Sequence, residues 1–147
     1  MKAAFLLLCV FGLTVGINGQ TSETSETPAA FYERYLATVE TAKTLEGVSA
    51  LWSESMRAQL KAPNTPAVSL DMVRTGYSVS GVKVVGAVPV RNNDVRLMLE
   101  GTSSKYGRKA TGSVVVTKEN GAWKLADFGG WTIHAAQVPA GKNSRAI

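Results

Sequence analysis

The spacing of the apolar residues changes at Tyr77, and this change limits the folds that the chain can adopt. Before it, the apolar side chains of residues 31–39 recur at helical spacing. After it, residues 95–100 alternate, with every second side chain apolar, as in a half-buried strand. Helices come first and strands second, without a β-α-β repeat. This order predicts an α+β fold with N-terminal helices packed on a four-stranded antiparallel sheet.

The first helix has a clear start signal. Thr27 is a suitable N-cap, and Pro28 suits the first helical position because its fixed backbone angle needs no hydrogen-bond donor there. These residues and the apolar stripe that follows them predict a helix over 28–41.

Shorter helices are predicted after it. A second helical stretch begins near Leu45, breaks where Ser53 offers a new N-cap, and stops at Pro63. The Thr65-Pro66 pair repeats the first start signal and predicts a last short helix that ends near Gly76.

Four strands are predicted in the second half of the chain. In the first, over 77–88, Val82, Val84 and Val88 share a face, and Gly81 marks a bulge. Turns are predicted at 91–94, at 101–107 and at the Asn120-Gly121 pair, which favours a type I′ hairpin.

Strict alternation places Trp123, Leu125 and Asp127 of the last strand on the core side of the sheet. We expect Trp123 to pack between the sheet and the first helix, against Phe31 or Leu36.

The first residues have the layout of a secretory signal peptide. Lys2 provides the positive charge, residues 3–15 form an apolar run, and cleavage is expected after Gly19, with Gly16 as the alternative. The run is shorter than the roughly 20 residues of a membrane-spanning helix. We therefore expect a periplasmic or extracellular protein without stable membrane insertion once the signal is removed. The predicted bounds are 1–19 for the signal, 20–27 for a flexible N-terminus, 28–134 for one α+β domain and 135–147 for a flexible tail.

Charge is distributed unevenly along the chain, whose net charge is +5. Residues 20–54 contain six Glu against Arg34 and Lys43, whereas residues 55–147 contain thirteen Lys and Arg against five Asp and Glu. Such asymmetry is typical either of a basic face for an anionic partner or of solvated surfaces that differ in sign. Export makes nucleic acid an unexpected partner.

Three segments together carry a family resemblance. They are residues 28–36 (PAAFYERYL), residues 51–53 (LWS) and residues 120–125 (NGAWKL). The chain resembles the nuclear-transport-factor-2-like superfamily, which includes the SnoaL-like proteins and has a cystatin-like cone fold. The resemblance covers residues 28–133 and implies helices before a curved sheet. Members include isomerases, dehydratases and non-catalytic binding modules, so the fold does not select the function.

The chemically interesting residues fall into two groups. Asp127 is a weak candidate for a catalytic base, because a carboxylate on the core side must be hydrogen-bonded or have a raised pKa. The alternative is an Asp at the sheet rim that accepts a hydrogen bond from a backbone N–H. The candidates for a ligand pocket are Tyr32, Tyr35, Tyr77, Asp127 and Trp131, although an aromatic stripe at helical spacing is more often core. The candidates for a basic outer face are Lys83, Arg96, Lys105, Arg108, Lys109 and Lys124, for which a solvated strand face is the alternative.

The sequence contains no motif that is typical of metal or cofactor binding. His134 is the single His, Cys9 lies within the predicted signal, and there is neither a P-loop nor a nucleophile elbow. We expect neither a metal nor a cofactor.

Three classes of function remain open. An exported non-catalytic module that binds a small molecule or a protein comes first. A small pocket enzyme of isomerase or dehydratase type is second, and a surface protein that binds anionic polymers through its basic sheet face is third. A homodimer formed through the sheet is a further arrangement that the sequence leaves open.

Overall fold

The structure, a computed structural model, describes residues 25–76 and 78–135. Helices precede an antiparallel sheet of four strands, which confirms the predicted α+β class. The elements are α1 (Pro28–Thr41), α2 (Leu45–Ser49), α3 (Glu54–Leu60), α4 (Leu70–Gly76), β1 (Val79–Arg91), β2 (Asp94–Ser103), β3 (Lys109–Glu119) and β4 (Ala122–Ile133). The predicted signal peptide, residues 20–24, Tyr77 and residues 136–147 lie outside the described residues.

Helix α1 forms as the sequence predicts. The Thr27 side chain accepts a hydrogen bond of 3.2 Å from the Ala30 N–H, and Pro28 is the first helical residue. One face of the helix is buried against the sheet because its apolar residues recur every three to four positions. The buried residues are Phe31, Tyr32, Tyr35 and Val39.

Helices α3 and α4 begin at serine caps. Ser53 Oγ accepts a bond of 3.1 Å from the Met56 N–H, which confirms the predicted break. The Thr65-Pro66 start signal was wrong, because α4 begins at Leu70 after Ser69 Oγ accepts from the Met72 N–H at 3.2 Å. The predicted end of that helix, Gly76, is confirmed.

The sheet is a meander in which each strand pairs with the next along the chain. Its tight hairpin is the predicted type I′ turn, since Asn120 and Gly121 have φ values of 51° and 82°. Its inner face meets the helices around fully or almost fully buried aliphatic side chains. These are Leu97, Leu99, Val114, Val116 and Leu125.

The outer edge of β4 is covered by the segment that joins α2 to α3. Trp52 and Leu125 form a parallel bridge: Ser53 N–H donates to the Leu125 carbonyl, and Leu125 N–H donates to the Leu51 carbonyl, both at 2.8 Å. The ammonium group of Lys124 also donates to the Ala50 carbonyl at 2.7 Å. The outward backbone groups of Leu125 on this edge strand are therefore satisfied.

Strand β1 is the other edge and is irregular. Its pairing with β2 shifts between Ser80 and Lys83, which confirms the predicted bulge at Gly81, where φ is 61°. A second shift between Val84 and Gly86 inserts one residue and reverses the side-chain parity. The expectation that Val88 shares a face with Val82 and Val84 was therefore wrong. Val88 is 53% exposed, on the outer face opposite Arg96.

Trp123 lies at the end of the core. Its ring is partly buried and packs against the hydrophobic cluster to which Phe31 belongs, whereas the expected direct contact with Phe31 or Leu36 stays a prediction. The indole N–H donates to the Glu26 carbonyl at 2.8 Å, just before α1. Because the ring is not fully buried, the cost of its truncation falls below the value for a core tryptophan.

Candidate functional site

A cleft of about 680 Å³ lies between α1, α4 and the start of β1. Its volume is within the range of small-molecule sites. Half of its lining residues are aliphatic, and its charged residues lie along the two helices. The lining residues are Glu33, Leu36, Ala37, Val39, Glu40, Arg74, Val79, Ser80, Gly81 and Val82.

Local backbone chemistry shapes one wall of this cleft. Gly81 has a φ of 61°, a conformation that glycine adopts without steric cost, and an added Cβ there would meet nothing within 4 Å. The bulge at this position lies between the Ser80–Thr102 and Lys83–Glu100 pairs. At Gly81 the wall is consequently backbone and open space, with Val79 and Val82 on either side.

Arg74 is held by the end of α1. Its Nε donates to the Val39 carbonyl at 3.1 Å, and its Nη2 contacts the carbonyls of Glu40 and Ala42. The last carbonyls of a helix lack intrahelical donors and carry partial negative charge, so a guanidinium group is a favourable cap. The side chain thus joins α4 to α1, and these contacts take up much of its donor capacity.

The carboxylates of the cleft are available to solvent. Glu33 and Glu40 are exposed on α1, seven positions apart and therefore on one side of the helix. No hydrogen bond or ion pair is found for either side chain within the described part of the chain. Together with the engaged Arg74, they give the cleft an acidic rim around an aliphatic floor.

The predicted pocket tyrosines lie in the core. Tyr32 and Tyr35 are fully buried and stacked, with ring centroids 5.9 Å apart, and neither lines the cleft. The Trp52 indole N–H donates to the Tyr35 hydroxyl at 3.4 Å. The alternative of a packed aromatic stripe therefore describes these two residues, and Tyr77 lies outside the described residues.

Asp127 is on the outer face of the sheet, and its predicted core orientation was wrong. Leu125 pairs with Val116 and Asp127 pairs with Val115, so β4 contains one extra residue and its parity reverses. The side chain is exposed, and its Oδ1 accepts a bond of 2.9 Å from the Gly129 N–H. The alternative of a rim aspartate bonded to a backbone N–H matches this geometry. Phe128 takes the core position instead, with its ring edge-to-face against Trp52 at 5.3 Å.

Trp131 is also separate from the cleft. It is partly buried at the core margin, where its ring covers Gly112 of β3 so closely that an added Cβ would lie 2.9 Å from it. The five predicted pocket residues are consequently not brought together around one cavity.

The predicted basic face divides into separate groups. Lys83 and Lys109 flank Glu100, and Lys109 forms an ion pair of 2.7 Å with it. All three residues line a depression of about 300 Å³. Lys105 and Arg108 lie beside this depression in the β2–β3 turn. Arg96 stands apart in the middle of the sheet, and Lys124 is bonded at the β4 edge.

Sequence reasoning missed Tyr106, which is 51% exposed in the β2–β3 turn. The ammonium group of Lys105 lies 5.0 Å from its ring centroid, and the guanidinium carbon of Arg108 lies 6.0 Å from it. The run of cations around one aromatic residue at 105–109 was a visible signal. The acidic rim of the cleft was also missed, because its two glutamates look like ordinary solvated helix positions.

Metal ligands are not clustered within residues 25–76 and 78–135, where no three His, Cys, Asp or Glu side chains could hold an ion together. His134 is exposed, and its Nε2 lies 2.8 Å from Thr111 Oγ1. Among the described helices, none combines the length and the apolar character required to cross a bilayer.

Comparisons with protein-family models, curated proteins and solved structures return no significant match. The resemblance to the nuclear-transport-factor-2-like superfamily therefore stays a prediction. The function proposed below rests on the geometry of the cleft.

Proposed function

We propose that this chain is an exported, non-catalytic binding module whose cleft takes a small amphipathic molecule. The observation that carries the proposal is the cleft of about 680 Å³ between α1, α4 and β1, with its aliphatic floor. Aliphatic lining with a few polar groups at the rim is the usual character of a small-molecule site.

The charges at the rim indicate the chemistry of the ligand. The carboxylates of Glu33 and Glu40 face solvent, whereas Arg74 already donates to the carbonyls at the end of α1. A ligand with an alkyl or aromatic body and a cationic head would place the body on Leu36 and Val82 and the head near the carboxylates.

The placement of Asp127 supports binding over catalysis. An enzyme of the isomerase type needs polar groups that converge on its substrate, and Asp127 lies on the outer sheet face, away from the cleft lining. The enzyme alternative would gain support if the purified chain turned over a ligand of the cleft.

Octylammonium and octanoate, which share an alkyl chain and differ in charge, test the cleft directly. Backbone amide shifts of residues 33–40 and 79–82 should saturate with octylammonium, at an affinity at least about 10-fold higher than for octanoate, a difference of about 1.4 kcal/mol. Glu33→Gln with Glu40→Gln should remove the preference, and Ala37→Phe should block both molecules by filling the cleft. Glu46→Gln with Glu54→Gln, outside the cleft, is the matched control. Equal binding of both molecules, or no saturable shifts, would contradict the proposal.

Export and assembly are parts of the proposal that need their own measurements. N-terminal sequencing of the secreted protein should give Gln20 as the first residue, whereas retention of Met1 in a membrane-bound product would contradict export. Light scattering across a concentration series tests the predicted homodimer through the sheet, which a constant monomer mass would contradict.

A further inference from the structure

The β2–β3 turn presents an aromatic side chain on a firmly hydrogen-bonded backbone. Ser103 N–H donates to the Arg108 carbonyl and Gly107 N–H donates to the Ser103 carbonyl, each at 2.8 Å. The neighbouring Ser104 N–H donates to the Ser78 carbonyl at 2.8 Å, which fixes the turn against the segment before β1. Tyr106 is therefore exposed at a fixed position and not on a loosely attached loop.

Two cations of the same turn lie over the Tyr106 ring. Lys105 and Arg108 approach the ring centroid to 5.0 Å and 6.0 Å, distances typical of cation–π contacts. Both cations are themselves exposed, so they can meet an external anion while they remain near the ring. A sugar ring that stacked on Tyr106 would have to compete with these cations for the ring.

Two further lysines continue the positive charge onto the sheet. Lys83 and Lys109 line the neighbouring depression of about 300 Å³, and Glu100 is the single acid of its lining. The four cations of this end thus exceed its one acid.

We propose that this end of the sheet docks onto the surface of a membrane rich in anionic lipid. The docking surface consists of Lys83, Lys105, Tyr106, Arg108 and Lys109. Cations meet the headgroups, while Tyr106 enters the interfacial layer, where an amphipathic ring with one wet end is favoured. This is contact with the surface of the bilayer, and it does not depend on the proposed ligand of the cleft.

Vesicle co-sedimentation tests this docking with the chain from Gln20 onward, which retains every described residue and omits the apolar signal. Binding to phosphatidylcholine vesicles containing phosphatidylglycerol should exceed binding to pure phosphatidylcholine. It should fall steeply between about 0.1 M and about 1 M salt, as the screening length shortens from about 10 Å to about 3 Å. Lys105→Ala with Arg108→Ala should weaken binding by about 25-fold, since each cation near an anionic surface contributes about 5-fold.

A matched control removes the same two charge types elsewhere. Lys43→Ala with Arg57→Ala, both exposed residues outside the docking surface, should change binding by less than about 3-fold, the long-range effect of net charge alone. Equal losses in the two double variants would show non-specific attraction and overturn the proposal.

Substitution of Tyr106 distinguishes binding to a membrane from binding to an anionic polysaccharide. Tyr106→Ala should weaken vesicle binding by about 5-fold or more, with an unchanged urea unfolding midpoint that excludes misfolding as the cause. If dextran sulfate binds as well as the anionic vesicles and Tyr106→Ala affects neither, the surface recognises polyanions in general and the membrane assignment is wrong.

Discussion

The two edge strands of the sheet differ in whether their outward backbone groups are hydrogen-bonded to another segment. The start of β4 is paired with the Leu51–Ser53 segment, and its neighbour Lys124 is bonded to a carbonyl of the same segment. Within residues 25–76 and 78–135, no strand pairs with the outer side of β1, which instead carries three register shifts and Pro89. Bulges and proline discourage edge-to-edge pairing with other chains. One edge is therefore closed by contacts with the rest of the fold, and the other is left open but irregular.

The two edges also differ in what they contribute: the β4 edge contributes mainly to stability, and the β1 edge borders the proposed binding sites. The closed edge joins the core through Trp52, Leu125 and Phe128, whereas the open edge borders both the cleft and the docking surface through Gly81 and Lys83. Substitutions should therefore cost most free energy near β4 and change binding most near β1.

The largest expected effect is at the closed edge. Trp52 is 3% exposed, packs edge-to-face on Phe128 and donates to Tyr35, so Trp52→Ala should lower the free energy of unfolding by about 3–5 kcal/mol. Met98→Ala on the outer face, where the side chain is 42% exposed, is the control and should cost less than about 1 kcal/mol. Urea unfolding measures both, and similar losses would refute the contrast between the two regions.

The two bulge glycines provide a direct comparison of the edges. Gly81 of β1 and Gly129 of β4 have φ values of 61° and 64°, so alanine at either position costs about 1–2 kcal/mol of backbone strain. A Cβ at Gly129 would also lie 1.7 Å from the Ser113 carbonyl oxygen, whereas at Gly81 it meets nothing. Gly129→Ala should therefore be more destabilising than Gly81→Ala by about 2 kcal/mol or more in thermal unfolding. Equal effects would show that the β4 bulge relaxes freely.

A smaller effect is expected at Asp127, which supports the β4 bulge from outside. Its bond to the Gly129 N–H is solvent-exposed, so Asp127→Ala should cost about 0.5–1.5 kcal/mol. Asp127→Asn retains an acceptor oxygen and should cost less than half as much. A loss of octylammonium binding in either variant would contradict the separation of Asp127 from the cleft.

The smallest effect concerns the segment that approaches Trp123. The Glu26 carboxylate accepts two bonds of 2.8 Å from Arg34, and these bonds lower the pKa of Glu26 below its ordinary value of 4.5. Because the folded pKa is the lower one, the ion pair stabilises the protein above pH 4.5 and loses this contribution as the pH falls through the lowered value. Both side chains are partly exposed, so Glu26→Gln should cost about 0.2–1 kcal/mol at neutral pH. The difference from the wild type should vanish in urea unfolding at acid pH; a constant difference would show that the pair is not responsible.

Much of the fold could be predicted because local signals agree with the final structure. The side chains of Thr27 and Ser53 cap helices by accepting bonds from backbone N–H groups three residues away. The Asn120-Gly121 pair sets the backbone angles of its own turn. Each of these signals involves only a few neighbouring residues, so each can be recognised in the sequence. The Thr65-Pro66 pair failed because Thr65 bonds instead to the Gln59 carbonyl, a contact with the preceding helix.

The candidate site could be predicted much less well. Strand parity placed Val88 and Asp127 incorrectly because one inserted residue in a bulge reverses the positions that follow it, up to the next bulge. The cleft depends on where α4 stands relative to α1, which the bonds from Arg74 to distant carbonyls help to fix. No short pattern in the sequence contains that information.

The cover on β4 has a consequence for how the chain reaches its fold. The three hairpins join neighbouring strands, but the bond from Lys124 to the Ala50 carbonyl joins residues 74 positions apart. Local pairings form quickly, whereas a distant one must first overcome the entropy of closing a long loop. Because β4 is the last of the described strands along the chain, the Leu51–Ser53 segment must wait unpaired until β4 has been synthesised. The slow step of folding is therefore expected to be the return of the final hairpin to the helical half, with the β4 edge briefly open to other chains.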